Sequence, residues 1–143
     1  MANERHTFSL SLTTPDGAVF DDEAEMVIVP GAAGEIGVLA RHAPLIALLK
    51  AGSTRVYTNR TAHEVEEFAT GPGFFTVEQD RALALVDTAV NVREIDPAAA
   101  QEQLEEAKAE LERVERGESE ADRWQLEQRI KAAENQLAAS GRT

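Results

Sequence analysis

The stretch that decides the fold runs from residue 94 to 117, EIDPAAAQEQLEEAKAELERVERG, because the periodicity of the apolar residues changes there. Asp96 is suited to be a helix N-cap, and Pro97 fits the first helical position. Gly117 fits the left-handed position that follows a helix. The spacing of four, three, four and three predicts one apolar helix face, made of Ala100, Leu104, Ala107, Leu111 and Val114.

A second helix is predicted downstream of this stretch. Ser119 and Asp122 form a candidate capping box, with two or three residues joining the helices. Two long helices joined so closely are expected to fold back as an antiparallel hairpin. Trp124 lies off the apolar face and is either an anchor for a partner or a partly exposed aromatic. The second apolar face consists of Leu126, Ile130, Ala133 and Leu137.

Upstream of this stretch the apolar segments are short and separated by turn residues, and Pro30-Gly31 is expected to end one of them. Many short strands at this spacing predict a β-sandwich or flattened barrel of about eight to ten strands. The predicted domains are therefore a β-sandwich over residues 1–94 and a helical hairpin over 95–143. The expected strands are centred on residues 8–12, 19–20, 26–29, 36–39, 45–49, 53–58, 65–68, 74–77 and 82–86.

The composition limits the classes of partner. The formal net charge is −12, from 14 Lys and Arg against 26 Asp and Glu. This balance argues against binding to nucleic acid or directly to an anionic lipid surface. The longest apolar-rich run, residues 43–49, is far shorter than the roughly 20 residues that a membrane helix needs. Any association with a membrane is therefore expected to pass through a partner.

No arrangement of residues typical of catalysis is present. The chain contains no cysteine, and its three histidines, His6, His42 and His63, are scattered. Neither a G-x-S-x-G motif nor a phosphate-binding G-x-x-x-x-G-K-[ST] loop occurs. We therefore expect no catalytic residues, no metal site, no cofactor and no enzymatic activity of the chain's own.

The segment of residues 29–45, VPGAAGEIGVLARHAPL, resembles the signature of the epsilon subunits of bacterial and chloroplast ATP synthases. Lys50-Ala51-Gly52 fits the continuation of that signature, whereas Ala40 stands where the family usually has proline. The opening strand, the Pro15-Asp16-Gly17 turn, the Gly71-Pro72-Gly73 segment and the helical hairpin follow in the family's order. The resemblance therefore extends over almost the whole chain.

This resemblance implies a non-catalytic subunit at the foot of the central stalk, which binds the gamma subunit and the membrane c-ring. Glu35 and Ile36 match the ring-facing loop, and His42 matches a position near the gamma contact. Without the resemblance, Glu35 could be a solvated loop acid and His42 a turn histidine. The expected location is peripheral, at the cytoplasmic face of a bacterial plasma membrane.

Some members of the family bind ATP through I/L-D-x-x-R-A at the start of the first helix. Ile95, Asp96 and Ala100 match this motif, but Ala99 replaces its arginine. The further arginines of that site correspond to Glu106, Ala132 and Gln136, so the cationic donors that a triphosphate needs are missing. We therefore expect ATP binding to be weak or lost.

The resemblance also leaves open whether the hairpin regulates ATP hydrolysis by contacting the beta subunit. The hairpin carries six basic residues among many acidic ones: Lys108, Arg113, Arg116, Arg123, Arg129 and Lys131. Mixed charges of this kind are usually a solvated face. The alternative to the whole assignment is a β-sandwich and coiled-coil adaptor of another multisubunit complex.

Overall fold

The computed structural model describes residues 5–141 and divides the chain into two compact units between Asn91 and Val92. The first unit is built of strands and the second of helices. The predicted domain boundary between residues 94 and 95 stays a prediction.

The first unit contains ten strands, as the alternation of apolar residues and turns predicted. Phe8 and Leu10 are fully buried while Ser9 between them is exposed, which is the period of two expected of a strand with one buried face. The strands are β1 Phe8–Thr14, β2 Gly17–Ala24, β3 Met26–Gly31, β4 Gly34–Leu39, β5 Leu45–Leu49, β6 Gly52–Asn59, β7 Glu64–Thr70, β8 Gly73–Glu78, β9 Arg81–Val86 and β10 Ala89–Asn91.

The strands form one sheet in the order β10-β7-β6-β3-β5-β8-β9-β1-β2, and β4 pairs with β3 beside this path. The pairing is antiparallel except between β1 and β9, which run parallel. Strand β2 also contacts β6, so the sheet folds back on itself into a nearly closed sandwich. This architecture confirms the predicted β-sandwich. Its core contains Phe8, Leu10, Leu12, Val27, Val29, Val38, Val56, Phe68, Phe75 and Val77.

The expectation that Pro30-Gly31 ends a strand is wrong, since β3 continues through Gly31. Proline removes one donor from a ladder but keeps its carbonyl. The carbonyl of Pro30 accepts the Lys50 amide at 2.9 Å, and Gly31 pairs with Leu49 of β5. The strand therefore continues through Pro30, because Lys50 binds the proline carbonyl and Gly31 pairs with β5.

The second unit contains α1 Pro97–Glu115 and α2 Arg123–Ser140, after a 3₁₀ turn over Val92–Glu94. Asp96 caps α1 as predicted: its carboxylate accepts the amides of Ala98 and Ala99 at 3.0 and 3.3 Å. Gly117, just beyond α1, adopts the predicted left-handed conformation, with φ of +75°.

The predicted capping box of α2 is wrong. Asp122 is the N-cap, and its carboxylate accepts the amides of Trp124 and Gln125. Ser119 instead donates to Glu110 of α1 and accepts the Ala121 amide, so residues 116–122 all belong to the connection. The connection is therefore longer than the predicted two or three residues.

The two helices pack against each other along the predicted apolar faces. Alanine makes up much of this contact, so the helices approach closely while burying modest apolar area. No helix among residues 5–141 is long and apolar enough to cross a membrane. The buried residues are Ala100, Leu104 and Ala107 on α1 and Leu126, Ala133 and Ala139 on α2.

Candidate partner-binding surfaces

The hairpin of β3 and β4 presents Glu35 near its tip. Gly31 pairs with Gly34, and Ala32 and Ala33 form the two-residue turn between them. Gly34 has a φ of +143°, a backbone conformation that residues with a Cβ rarely adopt. The Ala32 amide donates to the Leu48 carbonyl at 2.9 Å, so β5 holds the turn in place.

Glu35 was expected in a loop, but it lies within β4, opposite Pro30 of β3. Its side chain is 63% exposed, and its carboxylate forms an ion pair with Arg55 of β6 at 2.9 Å. Ile36, next in the strand, faces the other way and packs, partly buried, against the sandwich core. The two matched side chains therefore leave β4 on opposite sides, because successive strand residues alternate between faces.

An open depression of about 390 Å³ lies beside this tip. Ile36 and Leu48 supply its apolar wall, and Glu35 lies at its edge among the small residues of the turn. Small side chains and an exposed carboxylate allow another polypeptide loop to approach the backbone closely.

His42 lies in the connection between β4 and β5, after Arg41, whose φ is +64°. Its Nδ1 lies 2.6 Å from the Ala43 carbonyl, which can only accept, so Nδ1 carries the hydrogen. The Arg41 amide donates to the Asp80 carboxylate at 2.5 Å, which fixes this turn to the turn between β8 and β9. No described contact joins His42 to Glu35, so the structure does not bring them into one site.

An exposed apolar patch on β5, β8 and β9 was missed in the sequence. We define it as Ile46, Leu48, Phe74 and Leu85, whose exposed fractions are 80%, 59%, 55% and 48%. Leu48 pairs with Phe74, and Phe74 pairs with Leu85, so three of the four form one row across three strands. Monomeric proteins rarely expose such contiguous apolar surface unless it is used for binding. The signal was the run of Leu45–Leu49, which is apolar on both faces although only one face lies on the core.

The residues matched to the ATP motif lie at the start of α1. Asp96 is engaged in capping the helix, and Ala100 is 2% exposed, in the contact between the helices. Ala99 carries no cation that could meet a phosphate. Among residues 5–141, no group of three or more His, Cys, Asp or Glu side chains could hold a metal ion.

Three of the hairpin's basic side chains, Arg113, Arg116 and Arg123, form ion pairs within the hairpin. Arg116 pairs with Glu112 at 3.5 Å, and Arg123 pairs with Glu115 and Glu127 at 3.2 and 3.1 Å. Each pair is exposed and contributes little to stability. An acidic partner would nevertheless have to compete with these carboxylates.

The pKa of Glu110, on α1, is lowered from its ordinary value. The hydrogen bond that Ser119 donates, supported by the Arg113 guanidinium 3.0 Å away, lowers the pKa of Glu110. These contacts tie α1 to the connection that leads into α2.

Comparison with known proteins identifies the family. The model of the ATP synthase, Delta/Epsilon chain, beta-sandwich domain matches residues 7–92, which span the whole sandwich. The chain belongs to this ATP synthase delta/epsilon family. The match confirms the family that the signature segment indicated.

Relatives of similar length support this membership. The ATP synthase epsilon chain of Gloeothece citriformis is 36% identical over 135 residues, covering 94% of this chain and 96% of the relative. That of Desulfitobacterium hafniense is 36% identical over 132 residues, covering 90% and 98%. The likeness therefore includes the helical hairpin as well as the delta/epsilon sandwich.

The fold has a counterpart in a solved assembly. A chain of the Euglena gracilis mitochondrial ATP synthase, solved by cryo-EM with OSCP, F1 and the c-ring, matches with a TM-score of 0.73. The identity is 26%, and the match covers 96% of this chain and 83% of the other. These likenesses do not favour the alternative of an adaptor in an unrelated complex.

Proposed function

We propose that this chain is a non-catalytic subunit of the central stalk of a proton-translocating ATP synthase, coupling the gamma shaft to the membrane c-ring. Membership of the family indicates that the complex is an ATP synthase. The exposed apolar patch is the observation that supports the coupling role. A subunit without an active site works through its docking surfaces, and this patch brings four exposed apolar side chains together on neighbouring strands.

The gamma subunit is the partner proposed for the apolar patch. Leu48 and Phe74 lie side by side in its centre and are both more than half exposed. Burying two such side chains contributes about 2 kcal/mol or more to a contact. His42 is proposed to lie at the margin of this contact.

The c-ring is the partner proposed for the tip of the β3–β4 hairpin. Glu35 is exposed there, and the depression next to it is lined by the small residues of the turn together with Ile36 and Leu48. We propose that Glu35 accepts hydrogen bonds from a polar loop of the ring, while Ile36 shapes the wall of the depression. Attachment to the membrane, at the cytoplasmic face in bacteria, then passes through the ring.

The two units are proposed to be separate domains, residues 1–94 for docking and 95–143 for regulation. A contact of the hairpin with the beta subunit is the finer part of this proposal. Because Arg116 and Arg123 are already paired with hairpin carboxylates, we expect any restraint on ATP hydrolysis to be weak.

The test is binding of the purified chain to the gamma subunit of the same synthase, measured by calorimetry. The Leu48→Ser, Phe74→Ser double variant should bind at least about 30-fold more weakly, the equivalent of about 2 kcal/mol. Leu39→Ser, an exposed apolar residue on β4 outside the patch, is the matched control and should bind normally. Equal binding by the double variant and the wild type would remove the patch from the gamma interface.

A further inference from the structure

The ion pair between Arg55 and Glu35 crosses a strand of the sandwich. Arg55 lies on β6 and Glu35 on β4, and β3 separates them. The Nη2 of Arg55 donates to Oε2 of Glu35 at 2.9 Å, with 34% of the arginine side chain exposed. The arginine is therefore held against the outer surface of the sheet, while the carboxylate projects from it.

The strand register explains how the guanidinium reaches the carboxylate. Ile28 of β3 pairs with Gly37 on one side and with Arg55 on the other, so these three residues form one row. A Cβ at Gly37 would meet nothing within 4 Å. The space above the β4 end of this row is therefore free for the arginine side chain. The arginine can then extend diagonally across β3 to Glu35, two residues before Gly37.

The ion pair with Arg55 restricts the Glu35 side chain, which has three rotatable bonds. Arg55 is the ion-pair partner of Glu35 within residues 5–141, and it engages Oε2 alone. A carboxylate accepts several hydrogen bonds, so Oε1 can still accept one. A side chain that is ordered before binding loses less conformational entropy when the partner arrives.

We propose that Arg55 is a positioning residue for partner binding: it holds the Glu35 carboxylate over the hairpin tip so that Oε1 meets a donor of the c-ring. This role rests on the proposed function, because it names the residue that orders the proposed ring contact. Arg55 itself need not touch the ring.

Glu67 provides a matched control for Glu35, because it is a second carboxylate next to Arg55. It lies directly opposite Arg55 on β7, on the side away from β4, and accepts a hydrogen bond from Ser53 at 2.6 Å. Glu67→Gln removes a carboxylate beside Arg55 without touching the hairpin tip. This variant should leave binding to the ring unchanged.

The first measurement uses the isolated chain and needs no partner. NMR scalar couplings across the Cα–Cβ and Cβ–Cγ bonds of Glu35 should show one dominant rotamer in the wild type and averaging in Arg55→Met. The methionine keeps an apolar stem over β3, and a thermal melt checks that the variant is folded. Averaged couplings in the wild type would overturn the proposal.

The second measurement is a double-variant cycle of binding to synthase depleted of this chain. Arg55→Met and Glu35→Gln should each weaken binding about 2- to 5-fold, the range of an exposed ion pair. The double variant should be no weaker than Glu35→Gln alone, because Arg55 acts through Glu35. Additive losses would show that Arg55 makes its own contact and would overturn its positioning role.

The cycle also separates this proposal from the proposed function. If Arg55→Met averages the Glu35 rotamer but no variant changes binding, the ring contact of Glu35 is wrong and the positioning role falls with it. If the depleted synthase does not bind the wild type at all, the proposed function itself is contradicted.

Discussion

At the scale of single residues, Gly73 shows how closely two strands of the sandwich approach. A Cβ at Gly73 would lie 1.9 Å from the Leu85 carbonyl oxygen, which is closer than any real contact. At Gly37, on β4, a Cβ would meet nothing within 4 Å. The same substitution therefore has opposite consequences at two strand glycines.

We predict that Gly73→Ala destabilises the chain by about 2 kcal/mol or more, because β8 must move away from β9 to admit the methyl group. Gly37→Ala should change the free energy of unfolding by less than about 0.5 kcal/mol. Urea denaturation of both variants checks this difference. Equal stability of the two variants would contradict the close approach of Gly73 to Leu85.

Asp80 is the residue on which the turn before His42 depends. We predict that Asp80→Ala lowers stability by about 1 kcal/mol, because the Arg41 amide loses its acceptor and Asp80 occupies a left-handed φ of +58°. Asp80→Asn keeps an acceptor and tolerates that conformation, so it should lose less. Hydrogen exchange at the Arg41 amide gives the direct readout. Exchange that is equally slow in all three proteins would refute this anchor.

At the scale of secondary-structure elements, most strands and both helices could be predicted from the sequence. The alternation of Phe8, Leu10 and Leu12 and the cap formed by Asp96 are local signals, and the structure has both. The start of α2 could not be assigned this way, because Ser119 and Asp122 both have capping side chains. Asp122 caps the helix, since Ser119 is engaged by Glu110, a contact that depends on how the hairpin folds.

The contact between Glu110 and Ser119 predicts a pH dependence of the hairpin. The folded-state pKa of Glu110 is lowered, so its contribution to stability is present above the ordinary glutamate pKa of about 4.3 and is lost as the pH falls below it. The cavity beside Glu110 is also lined by three other charged side chains, those of Glu106, Asp122 and Arg129.

We expect the wild type to be more stable than Glu110→Gln at pH 7 and the difference to shrink as the pH falls below the ordinary glutamate pKa of about 4.3. Unfolding followed by circular dichroism at several pH values measures this. Glu112→Gln, on an exposed carboxylate that pairs with Arg116, should show a smaller difference. A difference that stays constant across this pH range would rule out Glu110 as its source.

At the scale of the whole molecule, the candidate surfaces depend on which strands pair. The signature segment predicted Glu35 from the family resemblance, but its position within β4 and its pairing with Arg55 depend on non-local register. The apolar patch joins Leu48, Phe74 and Leu85 from three separate segments of sequence. No local pattern could bring these three residues together.

The absence of cations at the matched ATP positions leads to a further prediction. With Ala99, Ala132 and Gln136 in place of arginines, about 5 mM magnesium-ATP should shift the melting temperature by less than about 1 °C. Differential scanning calorimetry with and without the nucleotide measures this shift. A dose-dependent increase of several degrees would contradict the expected loss of ATP binding.

The most direct test of the central claim is ATP-driven proton pumping by synthase depleted of this chain and reconstituted in vesicles. Adding back the wild type should restore pumping per ATP hydrolysed, because the chain would again join the shaft to the ring. The Leu48→Ser, Phe74→Ser variant should fail to restore it, and Leu39→Ser should restore it fully. Full pumping by the depleted enzyme, or no response to the added wild type, would contradict the coupling role.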